Sequence, residues 1–324
     1  MRTAVVDIGT NSTRLLIADV APDGSLSELV RRSVVTRLGA GVDTRGELSE
    51  AACARVLTTL EGFRREIDEH ADGGSYPNLA VMTSAVRDAR NGGAFAATIR
   101  SELGLDAQVL SGDEEARLTF LGAMSGRQVD GQARAEPTVV IDIGGGSTEF
   151  IVGAGRTAGF HVSLPAGVVR MSERHIHSDP PAPAELQELA GDTRAVFLAG
   201  LPQAERAPVT RGIAVAGTAT SAAAIDQELD PYDPDRVHGY PLLLATVEML
   251  LARLADMDEA QRRAVVGLDP DRAPTIVAGL ILLSEAMRAF DLDEVEVSEH
   301  DILHGGALSL ADLANSARHG SSDI

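Results

Sequence analysis

Two stretches of the chain carry acid and hydroxyl residues at the same spacing. Val5-Val6-Asp7-Ile8-Gly9-Thr10-Asn11-Ser12-Thr13-Arg14-Leu15 lines up with Val140-Ile141-Asp142-Ile143-Gly144-Gly145-Gly146-Ser147-Thr148-Glu149-Phe150. Each reads as an apolar strand ending in Asp, a turn of small residues, and a second apolar strand. A turn rich in Gly, Ser and Thr can bring several backbone N–H groups onto one point and hold an anion there. Glycine also lets a phosphate come close to the backbone. Asp7 and Asp142 stand at strand ends beside these turns, within reach of a metal ion or a water. Glu149 lies across the second turn from Asp142. Two carboxylates and a hydroxyl suit a hard cation such as Mg2+ (or Mn2+), which takes oxygen ligands and keeps waters for a substrate phosphate. Either turn alone is also a plain tight turn; their doubling favours the anion nest.

Gln108–Met124 reads as a strand, a turn and a helix, with Ser111 and Glu114 at capping-box spacing. Glu115 then falls in the first helical turn, near the positive end of the helix dipole. A carboxylate there can deprotonate an attacking water, or it can simply complement the dipole. Arg117 is either a phosphate contact or a solvated helix residue. Leu79–Ala89 places a strand before a polar loop carrying Thr83, Ser84, Arg87 and Asp88. Arg87 could clamp a phosphate bidentately or pair with Asp88 or Asp113. Ile213–Ala224 is a third strand–Gly–Thr element leading into an Ala-rich helix. It is either an anion site at a helix start or an ordinary strand-to-helix turn. Histidines 161, 175, 177, 238, 300 and 304 show no HExxH or comparable zinc spacing, and no Gly-x-Ser-x-Gly elbow is present.

The elements that must position these groups are legible as apolar runs. TAVVDI, RLLIADV, LAVMTSA, AQVL, TVVIDI and GIAVAG read as buried strands. Ser49–His70, Asp113–Met124, Pro183–Ala199, Leu242–Ala255 and Ala273–Phe290 read as helices between them. Alternating strands and helices predict an α/β fold. The internal echo predicts two duplicated halves with a site in the cleft between them. The polar segment Ser125–Pro137 is the expected linker, dividing the chain into domains 1–127 and 128–324. The final residues, SARHGSSDI, are expected to fray.

Composition excludes several functions. The 324 residues include 28 Lys plus Arg, all of them Arg, so the chain has no Walker-A, Schiff-base or kinase lysine. Any bound anion must be held by Arg, backbone N–H groups or a metal. A net charge of −20 speaks against a nucleic-acid or anionic-membrane surface. The one cysteine, Cys53, permits no internal disulfide and reads as a buried small hydrophobe on a helix. No signal peptide precedes Asp7, and the apolar stretches near Ile213–Ile225 and Thr275–Leu283 are too short or too broken to cross a bilayer. The expectation is a soluble cytoplasmic protein, with room for a homodimer.

The paired hairpins resemble the phosphate loops of the superfamily that holds acetate kinase, the sugar kinases, the heat-shock chaperone and the actin ATPases. Within it, DIGTNSTRLL, TSAVRDA, SGDEEARL, VIDIGGGSTE, SLPAGVVR and AVAGTATS resemble, in this order, the motifs of the exopolyphosphatase and guanosine-pentaphosphate phosphohydrolase family. The resemblance runs from the first residues to about Leu308. It implies two ribonuclease-H-like domains, with a C-terminal helix returning to the first, in a short form without additional helical domains. It implies Glu115 as the base that activates water, and Asp142 and Glu149 as holders of the divalent metal. Gly144, Gly145, Gly146 and Ser147, with Thr10, Asn11 and Ser12 of the other half, would cradle phosphate beside Asp7, and Arg87 would contact the phosphate chain. SEHDILHGGAL departs from the family's Leu-Arg-Glu-Gly pattern, with His304 in place of the arginine. The implied activity is metal-dependent release of terminal phosphate from inorganic polyphosphate, preferring short chains, since an acidic protein repels a polyanion. The alternatives are 5′-phosphohydrolysis of guanosine pentaphosphate, a small-molecule kinase, and a catalytically silent phosphate or nucleotide sensor.

Overall fold

A continuous apolar run becomes a central strand when both of its faces are covered. RTAVVDI does so as β1 (Arg2–Ile8), buried from Thr3 onward. The computed structural model describes residues 1–71, 74–126, 136–155 and 157–319. The chain divides into two units, one of Met1–Gln128 with His300–Ile324 and the other of Val129–Glu299.

In the first unit β1 is joined by β2 (Ser12–Val20), β3 (Leu26–Val35), β4 (Asn78–Met82) and β5 (Ala107–Val109), in the sheet order β3-β2-β1-β4-β5. The first three strands are antiparallel, while β4 and β5 run parallel to β1. Alternate residues of β1 serve opposite faces. Ala4, Val6 and Ile8 pack with Ala52, Val56, Leu60, Phe63 and Ile67 of the helix Glu50–Glu69. Val5 packs instead with Leu16 and Ala18 of β2 and with Leu303, Ala307 and Leu308 of the C-terminal helix Ile302–His319. Residues from His300 onward, at the end of the stretch expected as the second domain, thus belong to the first unit. Glycines let that helix lie against the helix Gly112–Ala123. A Cβ at Gly305 would stand 1.8 Å from the Leu118 carbonyl oxygen, and one at Gly122 1.8 Å from that of Asp301.

In the second unit β6 (Thr138–Ile143), β7 (Thr148–Ala154), β8 (Thr157–Leu164), β9 (Arg211–Val215), β10 (Pro241–Leu243) and β11 (Glu294–Val297) form a sheet ordered β10-β11-β9-β6-β7-β8. Its strands β8-β7-β6-β9-β11 repeat the order and directions of the first sheet, the ribonuclease-H-like arrangement, with β10 added antiparallel at the edge. The helix Ile276–Ala289 is buried along nearly its whole length, including Glu285, whose carboxylate is held by Arg194 and Arg288.

Some local expectations change. The segment after β4 is a short helix, Ser84–Asp88, not a polar loop. Strands β3 and β8 are not marked by apolar runs, because much of β3 is exposed and most of β8 is only half-buried. Cys53 is partly buried against the first core, and burial pushes its thiol pKa up, which does not suit a nucleophile. Of the expected linker, residues 127–135 lie outside the described residues, as do residues 320–324 of the tail; the backbone up to His319 is helical. Among the described residues no helix is long and apolar enough to cross a membrane.

Candidate active site

The two echoed hairpins fold alike. In each, the turn glycine donates its N–H to the serine carbonyl three residues on, Gly9 to Ser12 and Gly144 to Ser147, both at 3.0 Å. The segment that follows each hairpin then bonds to the turn's carbonyls. Thr36 and Arg37 donate to Asn11, and Gly39 donates to Thr10. Val168 donates to Gly144, and Val169 and Arg170 to Gly145, while the Arg170 side chain donates through Nε to Gly146. Gly167 lies so close to the second turn that a Cβ there would stand 2.5 Å from the Gly145 backbone, which accounts for the glycine of SLPAGVVR.

The hairpins differ in what faces the aspartate. The register pairs Asp7 with Arg14 and Ser33 across β1, β2 and β3, and Asp142 with Glu149 and Ser163 across β6, β7 and β8. Arg14 neutralises Asp7, donating from Nε and Nη2 to Oδ2 at 2.9 and 2.6 Å. Its Nη1 reaches Asp301, at the start of the C-terminal segment. Asp7 Oδ1 is buried without a hydrogen-bond partner. Burial raises the Asp7 pKa, against the lowering effect of Arg14. In the second hairpin two acids stand directly opposite each other, an arrangement that is unfavourable unless positive charge offsets it. Glu149 is buried and its Oε1 accepts a 2.6 Å hydrogen bond from Ser163 Oγ. This all-oxygen donor set fits a hard divalent cation.

Glu115 sits in the first turn of the helix Gly112–Ala123, whose start is fixed by the expected capping box between Ser111 and Glu114. Its carboxylate is 6% exposed. Arg87 Nη1 donates to Glu115 Oε2 at 2.7 Å and to the Leu110 carbonyl at 3.1 Å. Arg87 is therefore in an ion pair with Glu115. Burial raises the Glu115 pKa; Arg87 opposes that rise, and Asp7 and Asp88 add to it. Ser84 Oγ lies 3.0 Å from Thr10 Oγ1, joining the start of the Arg87 helix to the first hairpin turn. The first unit thus brings Asp7, Thr10, Arg87 and Glu115 together, with Asn11 and Ser12 half-buried beside them. The second unit brings together Asp142, Gly144, Gly145, Gly146, Ser147 and Glu149.

Other candidates resolve differently. Arg117 is exposed and reaches toward Ser309 at 3.5 Å. His175 bonds to Asp192, and His177 is exposed. The third strand–Gly–Thr element turns at Ala216, which holds a left-handed φ of 65°. There the Arg272 guanidinium packs so tightly over Gly217 that a Cβ would meet its Nη1 at 1.3 Å. Sequence reasoning passed over Arg14, Ser163 and Arg272. Counting back across each hairpin, the step that pairs Glu149 with Asp142, would have found Arg14; nothing local marks Arg272.

Two ribonuclease-H-like sheets, each carrying an aspartate-tipped hairpin, place the molecule among two-unit α/β proteins of the phosphate-handling kind. The chain belongs to the Ppx/GppA phosphatase family, which it matches over residues 16–313. It is 37% identical to exopolyphosphatase 2 of Mycobacterium tuberculosis over 96% of this chain and 98% of that protein. The crystal structure of an exopolyphosphatase from Cytophaga hutchinsonii superposes with a TM-score of 0.85 at 28% identity, covering 96% of this chain and 98% of the other. The Ppx/GppA family member of Aquifex aeolicus gives a TM-score of 0.79 at 28% identity, over 97% and 99% of the two chains.

Proposed function

We propose that the protein releases the terminal orthophosphate of inorganic polyphosphate by hydrolysis, with Glu115 as the general base. The observation that carries this reading is the placement of Glu115: a buried carboxylate on a helix start, with its pKa raised and one guanidinium beside it. Such a group keeps enough proton affinity to take a proton from water. Water attacks the terminal phosphorus, its proton passes to Glu115, and the bridging P–O bond breaks. The products are orthophosphate and a chain one unit shorter. Arg87 both holds Glu115 in place and offers its remaining N–H groups to phosphate oxygens. The turn amides of Thr10, Asn11, Ser12 and of Gly145 to Ser147 are suited to the same charge. Asp142 and Glu149, with Ser163 behind, would hold Mg2+ or Mn2+, which when bound supplies neutralisation of charge on phosphoryl oxygens.

The test is phosphate release, with Mg2+, from tripolyphosphate, long-chain polyphosphate and guanosine pentaphosphate side by side. Faster release from polyphosphate supports the reading, and release from the nucleotide alone replaces it with 5′-phosphohydrolysis. Glu115→Gln is expected to lower kcat by about 10²–10⁴. Unchanged release in that variant would remove Glu115 from the mechanism.

A further inference from the structure

We propose that Glu28, His300 and His304 form a second metal site, for a zinc-type divalent ion, which clamps the C-terminal helix to strand β3. It is separate from the Asp142–Glu149 pair and independent of the proposed activity. One ligand atom from each of the three side chains lies within 4.8 Å of the other two. His304 Nε2 is 2.9 Å from Glu28 Oε1. Its ring is stacked on that of His300, with centroids 4.1 Å apart. Ligand atoms around a tetrahedral zinc are separated by about 3.4 Å, so the set closes on an ion with shifts of about an ångström. Two imidazoles and a carboxylate with room for a further ligand suit Zn2+, Co2+ or Ni2+ better than Mg2+.

The backbone has been arranged to bring Glu28 there. In the β2–β3 ladder Ile17 pairs with Val30 but Ala18 pairs with Glu28, so Leu29 is the extra residue of a bulge. Ile17 and Val30 face the helix Glu50–Glu69, and Ala18 faces the C-terminal helix. Without the bulge Leu29 would stand opposite Ala18, on the side of that helix. With it, Leu29 is left 41% exposed and Glu28, its side chain still partly open to solvent, stands on the side of the C-terminal helix beside His304. His304 adds a second sign. Its side chain is fully buried, and its Nδ1 has no hydrogen-bond partner, an incomplete network for a ring that only fills space. Ser125 Oγ lies 3.1 Å from His300 Nδ1, the kind of outer contact that orients a ligating imidazole. The His304–Glu28 hydrogen bond is the contact that an ion would replace. Arg31, 3.5 Å from Glu28, opposes a cation there.

The HDILH spacing of His300 and His304 thus becomes meaningful only once the third ligand is supplied by a strand far away in sequence. The experiment uses the metal-stripped full-length protein in excess Mg2+, titrated with Co2+ and then Zn2+. The expected result is one Co2+ per chain with the visible absorption of a four- or five-coordinate site, displaced by Zn2+, and a rise in Tm with Zn2+. Glu28→Gln and His300→Asn, both at positions open enough to fold, should each weaken binding at least about a hundredfold and abolish the Tm rise. Arg31→Gln should tighten binding. Absence of stoichiometric Co2+ binding to the unmodified protein would overturn the proposal, leaving a hydrogen-bonded His–Glu pair. Equal binding by Glu28→Gln and His300→Asn would overturn it as well.

Discussion

Asp7 and Asp142 end equivalent strands, yet one faces Arg14 and the other Glu149. A single letter in a duplicated motif therefore decides which hairpin carries its own counter-charge and which suits an added cation. The hairpin turns that carry the carboxylates and glycines were legible in the sequence because their geometry depends on neighbours within a dozen residues. The partner of Arg87 was not. Asp88 and Asp113 are as near in the chain as Glu115 is, and only the packing of the helix Gly112–Ala123 brings Glu115 to it. That contact has a pH consequence. Burial raises the Glu115 pKa and Arg87 opposes the rise. In Arg87→Gln the opposition is gone, so the carboxylate ionises at a higher pH. The acid limb of kcat/KM against pH should move upward in that variant, and KM should rise with the loss of a phosphate contact. A limb that stayed in place would mean that Glu115 is not the ionising group.

At the scale of elements, buried central strands announced themselves as apolar runs, and amphipathic helices by their period. Strand β3, LSELVRRSVV, escaped because it lies at the sheet edge with most of its side chains in solvent. The helix Ser84–Asp88 escaped because its polar residues read as a loop. The glycines of SEHDILHGGAL have a packing meaning that spacing alone did not reveal. Ala in place of Gly raises helix propensity by about 1 kcal/mol. At Gly305 the added methyl group would stand 1.8 Å from a carbonyl oxygen, whereas at Gly62 nothing lies within 4 Å. Overpacking costs about 1–3 kcal/mol or more, so the clash outweighs propensity at the first site only. Thermal unfolding should show Gly305→Ala lowering Tm by several degrees and Gly62→Ala leaving it equal or higher.

For the whole molecule, the net charge of −20 and the substrate's own negative charge work against each other. The repulsion is long-ranged and screenable, whereas the contacts proposed for Arg87 and the hairpin turns are short-ranged. Raising ionic strength from 0.01 to 0.15 M shortens the Debye length from about 30 to about 8 Å. Over that range KM for long-chain polyphosphate should fall more than KM for tripolyphosphate at fixed Mg2+. Equal salt dependence for both would remove the global charge from the account.

The helix Ile302–His319 covers one face of the first sheet, although the whole second unit intervenes in the chain. Val5, Leu16 and Ala18 are therefore translated long before Leu303, Ala307 and Leu308, which complete the packing of that face. The later-made unit, continuous in sequence, is the one that can reach its native state while the ribosome is still at work. Birth order and maturation order are reversed, and a premature stop near residue 299 would leave the younger half intact while stranding the older one.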